Sequence, residues 1–269
     1  DDFSKDNTYE IAKKFSDKDS RIKLFKNISK GKVSGTNYGF SLCKGSIIKC
    51  IDSDDILTQN FFEHYDVLQK YDAHCHQALI TDDKLKILSK YSINPFLITK
   101  DYKFTLTHLL SFPKWSWSFK RNVADKIFPM PENLPFEDVW IALMIKKYSK
   151  DIYLINSPLY LYRQHHNQTY GGITNFTPDK VIFRAKRMLK FIDIIEKEPK
   201  IMSGYKKEIL NKIKDQYKIL NKKNINILKI LKNNQKFENK IKNILIKKFP
   251  KLAKLMLKAK FNYNAYFKN

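Results

Sequence analysis

The spacing of apolar residues divides the chain into two parts that meet near residue 177. In residues 1–177, short apolar runs alternate with stretches in which apolar residues recur every three or four positions. The runs predict strands and the spaced stretches predict helices, and their alternation is typical of an α/β sheet. The predicted strands cover residues 21–26, a run ending at Asp52, residues 73–80, a segment around Trp115 and Trp117, and residues 152–162, and the predicted helices carry Ile11 and Phe15, cover residues 34–44, follow Thr58, and begin near Pro135.

Residues 178–269 show the pattern of amphipathic helices alone. Two apolar stripes recur at helical spacing, with lysines around the rest of each helix. One stripe consists of Ile182, Ala185, Leu189, Ile192 and Ile195, and the other of Ile241, Leu245, Phe249, Leu252 and Met256. We therefore predict a sheet-containing domain at 1–177 and a basic helical extension at 178–269.

Composition places the chain among folded proteins of a reducing compartment. Of its 269 residues, 43% are hydrophobic and 14% aromatic, which is enough apolar surface for a core. No apolar run approaches the roughly eighteen residues that span a bilayer, and no signal peptide is recognisable. Three cysteines without a CxxC pair suit free thiols better than disulfides. The predicted location is the cytoplasm.

The positive charge is concentrated in the last third of the chain. The net charge is +24, and residues 178–269 alone hold 26 Lys and Arg against 7 Asp and Glu, a net of +19. Such a face can simply be solvated, or it can bind an anionic surface. The inner leaflet of a cell membrane attracts clustered lysines, so we predict peripheral association with that membrane. Nucleic acid is the competing anion, but the sequence has none of the standard nucleic-acid-binding motifs.

An acidic turn carries the first candidate chemistry. An apolar run of strand length, residues 46–51, ends in Asp-Ser-Asp-Asp at residues 52–55. Side chains at the carboxyl end of a buried strand can reach solvent, and Asp52 and Asp54 would point the same way on a continuing strand. Two converging carboxylates suit Mg²⁺ or Mn²⁺, which keep coordination positions open for phosphate. The alternative is structural, a strand followed by a turn and an Asp-capped helix.

Four short segments follow one another in an order and spacing that point to one enzyme family. They are Asp1-Asp2-Phe3-Ser4-Lys5-Asp6-Asn7-Thr8, the strand and turn at residues 44–55, Pro135-Phe136-Glu137-Asp138-Val139-Trp140, and Leu159-Tyr160-Leu161-Tyr162-Arg163-Gln164-His165. They resemble, in turn, the Asp-Asp-Gly-Ser loop, the DxD strand, the Glu-Asp helix start and the closing strand of family 2 glycosyltransferases, which build bacterial surface polysaccharides such as capsule and lipopolysaccharide. The resemblance covers residues 1–170 and implies the GT-A fold, a Rossmann-like mixed sheet flanked by helices.

The resemblance implies a role for each candidate residue on the donor side. The donor would be a nucleotide-sugar, expected to be a UDP-sugar carrying a hexose or an N-acetylhexosamine. Asp2 would accept a hydrogen bond from the base, Asp54 would hold Mn²⁺ or Mg²⁺ directly, and Asp52 would lie near the metal or the ribose. Arg163 and His165 would neutralise the diphosphate.

On the acceptor side, the resemblance points to the start of the helix after Pro135. The acceptor, a growing glycan or a lipid-linked sugar, must lose a proton as it attacks, so a carboxylate has to face it. The resemblance makes Asp138 that base and Glu137 its support, and one direct displacement would invert the anomeric configuration. Both residues also have an ordinary explanation, because acidic side chains in a first helical turn interact favourably with the helix dipole. Trp115 and Trp117 could be core residues, an acceptor-cleft wall or a sugar-stacking platform.

Three departures from the family pattern qualify these expectations. The chain has Phe3 where the family commonly has Gly, and Thr36 where it commonly has Arg. The family's first strand, first helix and most of its second strand would precede Asp1, so we expect a fragment that lacks its first strand–helix unit and has poor activity alone. Two rival interpretations remain: a basic binding protein in which residues 52–55 are structural, and a glycosyltransferase remnant without turnover.

Overall fold

The structure, a computed structural model, describes residues 1–165, 177–221, 237–253 and 255–256. Strands are β1 (Ile47–Lys49), β2 (Ile56–Leu57), β3 (Ala73–Thr81), β4 (Ile87–Tyr91), β5 (Trp117–Lys120) and β6 (Ile152–Arg163). Helices are α1 (Thr8–Lys18), α2 (Lys32–Leu42), α3 (Tyr65–Lys70), α4 (Pro95–Ile98), α5 (Tyr102–His108), α6 (Arg121–Ile127), α7 (Glu137–Tyr148), α8 (Pro178–Ile195), α9 (Pro199–Met202), α10 (Asn211–Asn221) and α11 (Phe237–Lys248). Short 3₁₀ turns cover Gln59–His64, Lys114–Ser116 and Lys207–Leu210.

The strands form one mixed sheet in the order β1-β5-β3-β6-β2, with β4 also paired to β3. Strands β3 and β6 run parallel, and the other pairs are antiparallel. The central strand β3 is buried from Ala73 to Ala78, as expected for a strand covered on both faces. The pairing brings the end of β1 to the start of β5, and the acidic turn that follows β1 lies near the end of β6.

Helix α7 forms the centre of the hydrophobic core. Seven consecutive residues, from Val139 to Ile145, are buried, and the indole N–H of Trp140 donates to the carbonyl of Ile127 at 2.9 Å. Apolar side chains of α8 and α10, including Phe191 and Ile213, belong to the same core. A helix that is apolar on all sides must be covered on all sides. Helix α7 is therefore covered by neighbouring elements, and α8 supplies part of that cover.

The division at residue 177 stays a prediction. Residues of the predicted extension pack into the main core, and a smaller cluster joins Ala185 to Leu220, Ile246 and Ala253. Residues 222–236, 254 and 257–269 of that extension lie outside the described residues. Among the helices that the structure does describe, none is long and apolar enough to cross a membrane.

The sequence pattern misplaces three elements. Residues 21–26 form no strand: no strand of the sheet pairs with this described segment, although Asp1 N–H₃⁺ donates to Phe25 O and the Asp1 carbonyl accepts from Asn27 N, both at 2.8 Å. Strand β1 ends at Lys49, before the predicted end at Asp52. Trp115 lies in a 3₁₀ turn ahead of β5. Residues 81–103, for which the polar sequence pattern is ambiguous, contain β4 and α4.

Candidate functional site

The acidic turn after β1 is fastened to the end of β6. The backbone N–H of Asp52 donates to the hydroxyl of Tyr160 at 3.0 Å, and that of Arg163 donates to Asp55 Oδ1 at 2.9 Å. The guanidinium Nε of Arg163 donates to the main-chain carbonyl of Asp54. Strand β2, which follows the turn directly, pairs with β6 through Leu57 and Tyr160. The turn is therefore held on both sides by the closing strand.

Asp54 presents an accessible carboxylate beside a histidine. Its side chain is 40% exposed, and Oδ2 lies 3.0 Å from Nε2 of His165. When His165 is protonated the pair forms an ion pair, and when it is neutral the ring can still donate a hydrogen bond through Nε2. Asp54 and His165 were both predicted for the donor side, and the structure brings them together.

Asp52 has two ammonium partners instead. Its Oδ1 lies 3.3 Å from Nζ of Lys32 and 3.4 Å from Nζ of Lys114, and the side chain is 23% exposed. Burial raises the pKa of Asp52, but Lys114 and Lys32 outweigh burial, so the pKa lies below its ordinary value. Asp52 is therefore ionised and already paired with positive charge.

Lys114 contacts Asp52 on one side and the start of α7 on the other. Its Nζ lies 3.4 Å from Oε2 of Glu137, and its backbone N–H donates to Oδ1 of Asp138 at 2.8 Å. Burial lowers the pKa of Lys114, but the carboxylates of Glu137 and Asp52 raise it further, so the net shift is upward. The ammonium group is therefore charged and lies between two carboxylates that would otherwise repel each other.

Asp138 has the altered acidity that a proton acceptor needs. Burial raises its pKa to about 6, although the hydrogen bond from the Lys114 backbone opposes that shift. A base with a pKa just below neutral is ionised at pH 7 and still binds a proton readily. Asp138 follows Pro135 at the first turn of α7, where the helix dipole favours an acidic residue. Its position is therefore consistent both with stabilisation of the helix and with a role as proton acceptor.

The side chain of Asp2 contacts Gly31, the residue that precedes Lys32 at the start of α2. Its Oδ1 accepts from Asn27 Nδ2 and from Gly31 N, both at 2.9 Å. These bonds, that of Gly31 first, lower the pKa of Asp2. Gly31 has a φ of 136°, which residues with a side chain rarely adopt, so only glycine offers this N–H without strain. Through Gly31 and Lys32, the opening loop is connected to Asp52.

Phe3, the residue after Asp2, is one of the departures from the family pattern, and its backbone conformation shows why glycine is common there. Phe3 has a φ of 60°, in the left-handed region that favours glycine. The family's common Gly at this place is therefore the residue that the backbone conformation favours, and this chain adopts the same region with a phenylalanine.

Sequence reasoning missed three residues of the site. Lys114 and Lys32 went unnoticed because 51 Lys and Arg are spread over the chain, and only their contacts distinguish these two. Asp55 was quoted within the turn without a role, yet burial raises its pKa to about 6. Trp115 and Trp117 are buried core residues, and Trp115 stacks on Tyr160 with ring centroids 4.7 Å apart, so neither is a sugar platform.

The donor set is only partly suited to a divalent ion. In the part of the chain that the structure describes, no group of three or more His, Cys, Asp or Glu residues is arranged to hold a metal. Asp54 offers an accessible hard oxygen ligand, while Asp52 is occupied by two ammonium groups. A metal at this site would therefore depend on ligands from a bound substrate, as Mg²⁺ sites on nucleotide phosphates commonly do.

Comparison with known proteins connects this geometry to one family. Residues 1–128 match the model described as glycosyl transferase family 2, a range that includes the acidic turn and Lys114 and ends before Glu137. Glycosyltransferase GlyG of Streptococcus pneumoniae serotype 4 (strain ATCC BAA-334 / TIGR4) is 39% identical over 75 residues. That match covers 27% of this chain and 25% of GlyG, so the similarity spans about a quarter of that relative's length.

A solved structure shares the fold. TarS of S. aureus, residues 1–349 in complex with UDP-GlcNAc, superimposes with a TM-score of 0.54 at 13% sequence identity, over 98% of this chain and 76% of that one. At this identity the likeness shows the fold, and it confirms the GT-A architecture predicted from the sequence. The family match adds that residues 1–128, a little under half of the chain, are similar to glycosyl transferase family 2.

Proposed function

We propose that this chain transfers a sugar from a nucleotide-sugar donor, a UDP-sugar, to a hydroxyl group of a growing surface glycan. One observation carries the proposal. The acidic turn of the matched family region is joined, through Lys114, to the carboxylates that open α7, so that donor-type and base-type residues form one site. A TarS structure that contains UDP-GlcNAc supports a UDP-linked hexose or N-acetylhexosamine as the donor.

On the donor side, the proposal uses the charges around the acidic turn. Asp2 accepts from the nucleotide base. Lys32, which is 63% exposed, and His165 offer positive charge for the diphosphate. Arg163 holds the turn through Asp54 as well as contributing charge. Two phosphates that leave with the nucleotide develop negative charge, and these groups stabilise that charge where it forms.

A divalent ion, Mn²⁺ or Mg²⁺, is the proposed cofactor, with Asp54 as its ligand from this chain. When bound, it would supply positive charge to the departing diphosphate. Asp52, predicted as a second ligand, already has Lys32 and Lys114 as partners, so in this proposal its role is on the ribose side.

On the acceptor side, Asp138 takes the proton from the attacking hydroxyl. Its raised pKa, to about 6, allows it to be ionised in the resting enzyme and to hold the proton afterwards. Glu137 pairs with the ammonium group of Lys114 and so helps to fix that group near Asp138. A single displacement by the acceptor oxygen, on the side of the sugar opposite the diphosphate, inverts the anomeric configuration.

The proposed location is the inner face of the cell membrane. Phe249, Leu252 and Leu255 are exposed, and Lys248 and Lys251 lie beside them in the sequence and are also exposed. Apolar side chains flanked by lysines suit the boundary of an anionic bilayer, where lipid-linked acceptors are found. Cosedimentation with vesicles containing anionic lipid, compared with neutral vesicles, tests this part; equal binding to both would refute it.

The rival interpretations make different use of the same residues. A binding protein with a structural turn has no need for a carboxylate whose pKa is raised to about 6 beside Lys114. A remnant would bind the nucleotide without turnover. Only a measurement of turnover separates the remnant from the enzyme.

The deciding experiment measures release of UDP from a panel of UDP-sugars in the presence of Mn²⁺, with water as acceptor where no glycan is known. We expect release with at least one donor, and Asp138→Asn should lower the rate by about 10²–10⁴-fold, because it removes the base. Asp125→Asn, at an exposed carboxylate that pairs with Arg121, is the matched control and should leave the rate unchanged. Absence of release with every donor would refute the proposal.

A further inference from the structure

The side chain of Lys114 contacts carboxylates in both halves of the candidate site, the acidic turn and the start of α7. Its ammonium group lies 3.4 Å from Asp52 on one side and 3.4 Å from Glu137 on the other. Its backbone N–H donates to Asp138 at 2.8 Å. The side chain is 7% exposed, so water screens these interactions little. No role for Lys114 followed from the sequence.

The segment that carries Lys114 is held in place by a second lysine, the half-buried Lys49. Nζ of Lys49 donates to the main-chain carbonyls of Trp115 and Trp117, the latter at 3.4 Å, and lies 2.6 Å from Nε2 of His76. Within the turn, the hydroxyl of Ser116 donates to Pro113 O at 2.7 Å. Because the backbone on the carboxyl side of Lys114 is fixed, the ammonium group has a defined position.

We propose that Lys114 is a positioning residue of the transfer reaction, which sets the donor-side carboxylate Asp52 and the base-side pair Glu137 and Asp138 at a fixed separation. This inference rests on the proposed function. Carboxylates that face each other without a cation repel, and the start of α7 would shift away from the turn. Displacements of about 1 Å in a reacting group are enough to lower rates by about 100-fold.

The first test requires no activity and examines the contact itself by a double-mutant cycle in thermal unfolding. Lys114→Met leaves Glu137 in the half-buried site without its ammonium partner and Asp52 with Lys32 alone, and should lower the unfolding midpoint by about 5 °C or more. Adding Glu137→Gln to Lys114→Met removes one unpaired charge and should recover part of that loss, a non-additive result. Strict additivity would overturn the proposal. If Lys114→Met does not fold, Lys114→Gln replaces it in both variants.

Lys120→Met is the control for this cycle. Lys120 lies on β5, pairs with Asp72 at 3.8 Å and donates to Lys70 O, away from the acidic turn. Combined with Glu137→Gln, its effect should be additive, because the two residues share no partner. Coupling of the same size for Lys120 and Lys114 would mean that the cycle reports general destabilisation, and would overturn the proposal.

The second test separates positioning from a purely structural role. In the UDP-release assay, Lys114→Met should lower kcat by about 100-fold while KM for the donor changes by less than about threefold. Lys114→Arg keeps the charge and should recover at least about tenfold of that loss. A kcat that Lys114→Met leaves unchanged would refute the role of Lys114 alone. No turnover by the unmodified chain would instead refute the proposed function, and the role of Lys114 in transfer with it.

Discussion

The first 46 residues and the layer around α7 are built in opposite ways. Helices α1 and α2 contain no buried residue, and Asn27 is the one buried residue in 1–46. Helix α7, by contrast, buries seven residues in succession. Apolar burial therefore stabilises the region that carries Asp138, and contributes little to the region that carries Asp2 and Lys32.

Polar contacts take the place of burial in the N-terminal region. Asp2 accepts from Gly31 and Asn27, and Asn37 exchanges two hydrogen bonds of 2.8 Å with the backbone of Met130. Regions held by hydrogen bonds near solvent open at lower free energy than a packed core. The base side of the site is therefore held by apolar packing, whereas Asp2 and Lys32, in the N-terminal part of the donor side, have more freedom to adjust around a nucleotide.

A core substitution in α7 should cost far more stability than one in the N-terminal region. Ile145→Ala in α7 should lower the free energy of unfolding by about 2–5 kcal/mol, because it removes a fully buried side chain from a close-packed core. Ile11→Ala in α1, where the side chain is 53% exposed, is the matched control and should change it by less than about 0.5 kcal/mol. Denaturant unfolding measures both, and equal losses would contradict the contrast between the two regions.

The pH dependence of turnover reports on Asp138, on the base side of the site. Turnover should fall about tenfold for each pH unit below about 6, because burial raises the pKa of Asp138 to about 6 and the protonated acid cannot accept a proton. Burial raises the pKa of Asp55 to about 6 as well, so the Asp55→Asn variant should be measured too and should keep the acidic limb. A rate that is flat between about pH 7 and pH 5 would contradict the assignment of Asp138.

The same shift has a consequence for stability. A carboxyl group whose pKa is raised in the folded state keeps its proton where the unfolded chain has lost it, so between about pH 4 and pH 6 the free energy of unfolding decreases as pH rises. Asp138→Asn removes that titration and should flatten this part of the stability profile. A stability that rises over the same range in the unmodified chain would mean that other carboxylates dominate.

The smallest effect concerns the N-terminal region. Phe3→Gly should raise the free energy of unfolding by about 0.5 kcal/mol, because relief of the left-handed backbone at φ 60° exceeds the added entropy of the unfolded chain. Phe15→Gly, at a similarly exposed phenylalanine inside α1, should lower it by about 1 kcal/mol. Opposite signs at the two phenylalanines are the expected outcome, and a loss at both would show that the ring of Phe3 contributes more than its backbone costs.

The buried elements of the fold could be predicted from the sequence. Strands β3 and β6 and helix α7 were recognised because buried elements leave continuous or regularly spaced apolar residues. Strand β4 was not recognised, because Ile87 and Leu88 are both about half exposed and the strand shows no alternation of apolar and polar residues. The predicted strand at residues 21–26 failed for another reason: a strand requires a pairing partner, which local pattern does not specify.

The candidate site could be predicted as residue types but not as contacts. The sequence indicated the acidic residues and the closing strand, because their spacing resembles a family pattern. It gave no sign that Lys114 lies between Asp52 and Glu137, since that contact joins residues 62 and 23 positions apart in the chain. A lysine followed by aromatic residues is an ordinary local pattern, and only the folded sheet distinguishes this one.

Nucleotide binding by variants of Asp138 and Asp54 tests whether the acidic turn forms the donor site. In calorimetric titrations of UDP with Mn²⁺, Asp138→Asn should bind within about threefold of the unmodified chain, because the base faces the acceptor. Asp54→Asn should bind at least about tenfold more weakly, since it removes the accessible carboxylate of the acidic turn. Equal affinity of the Asp54 variant and the unmodified chain would contradict a donor site at this turn.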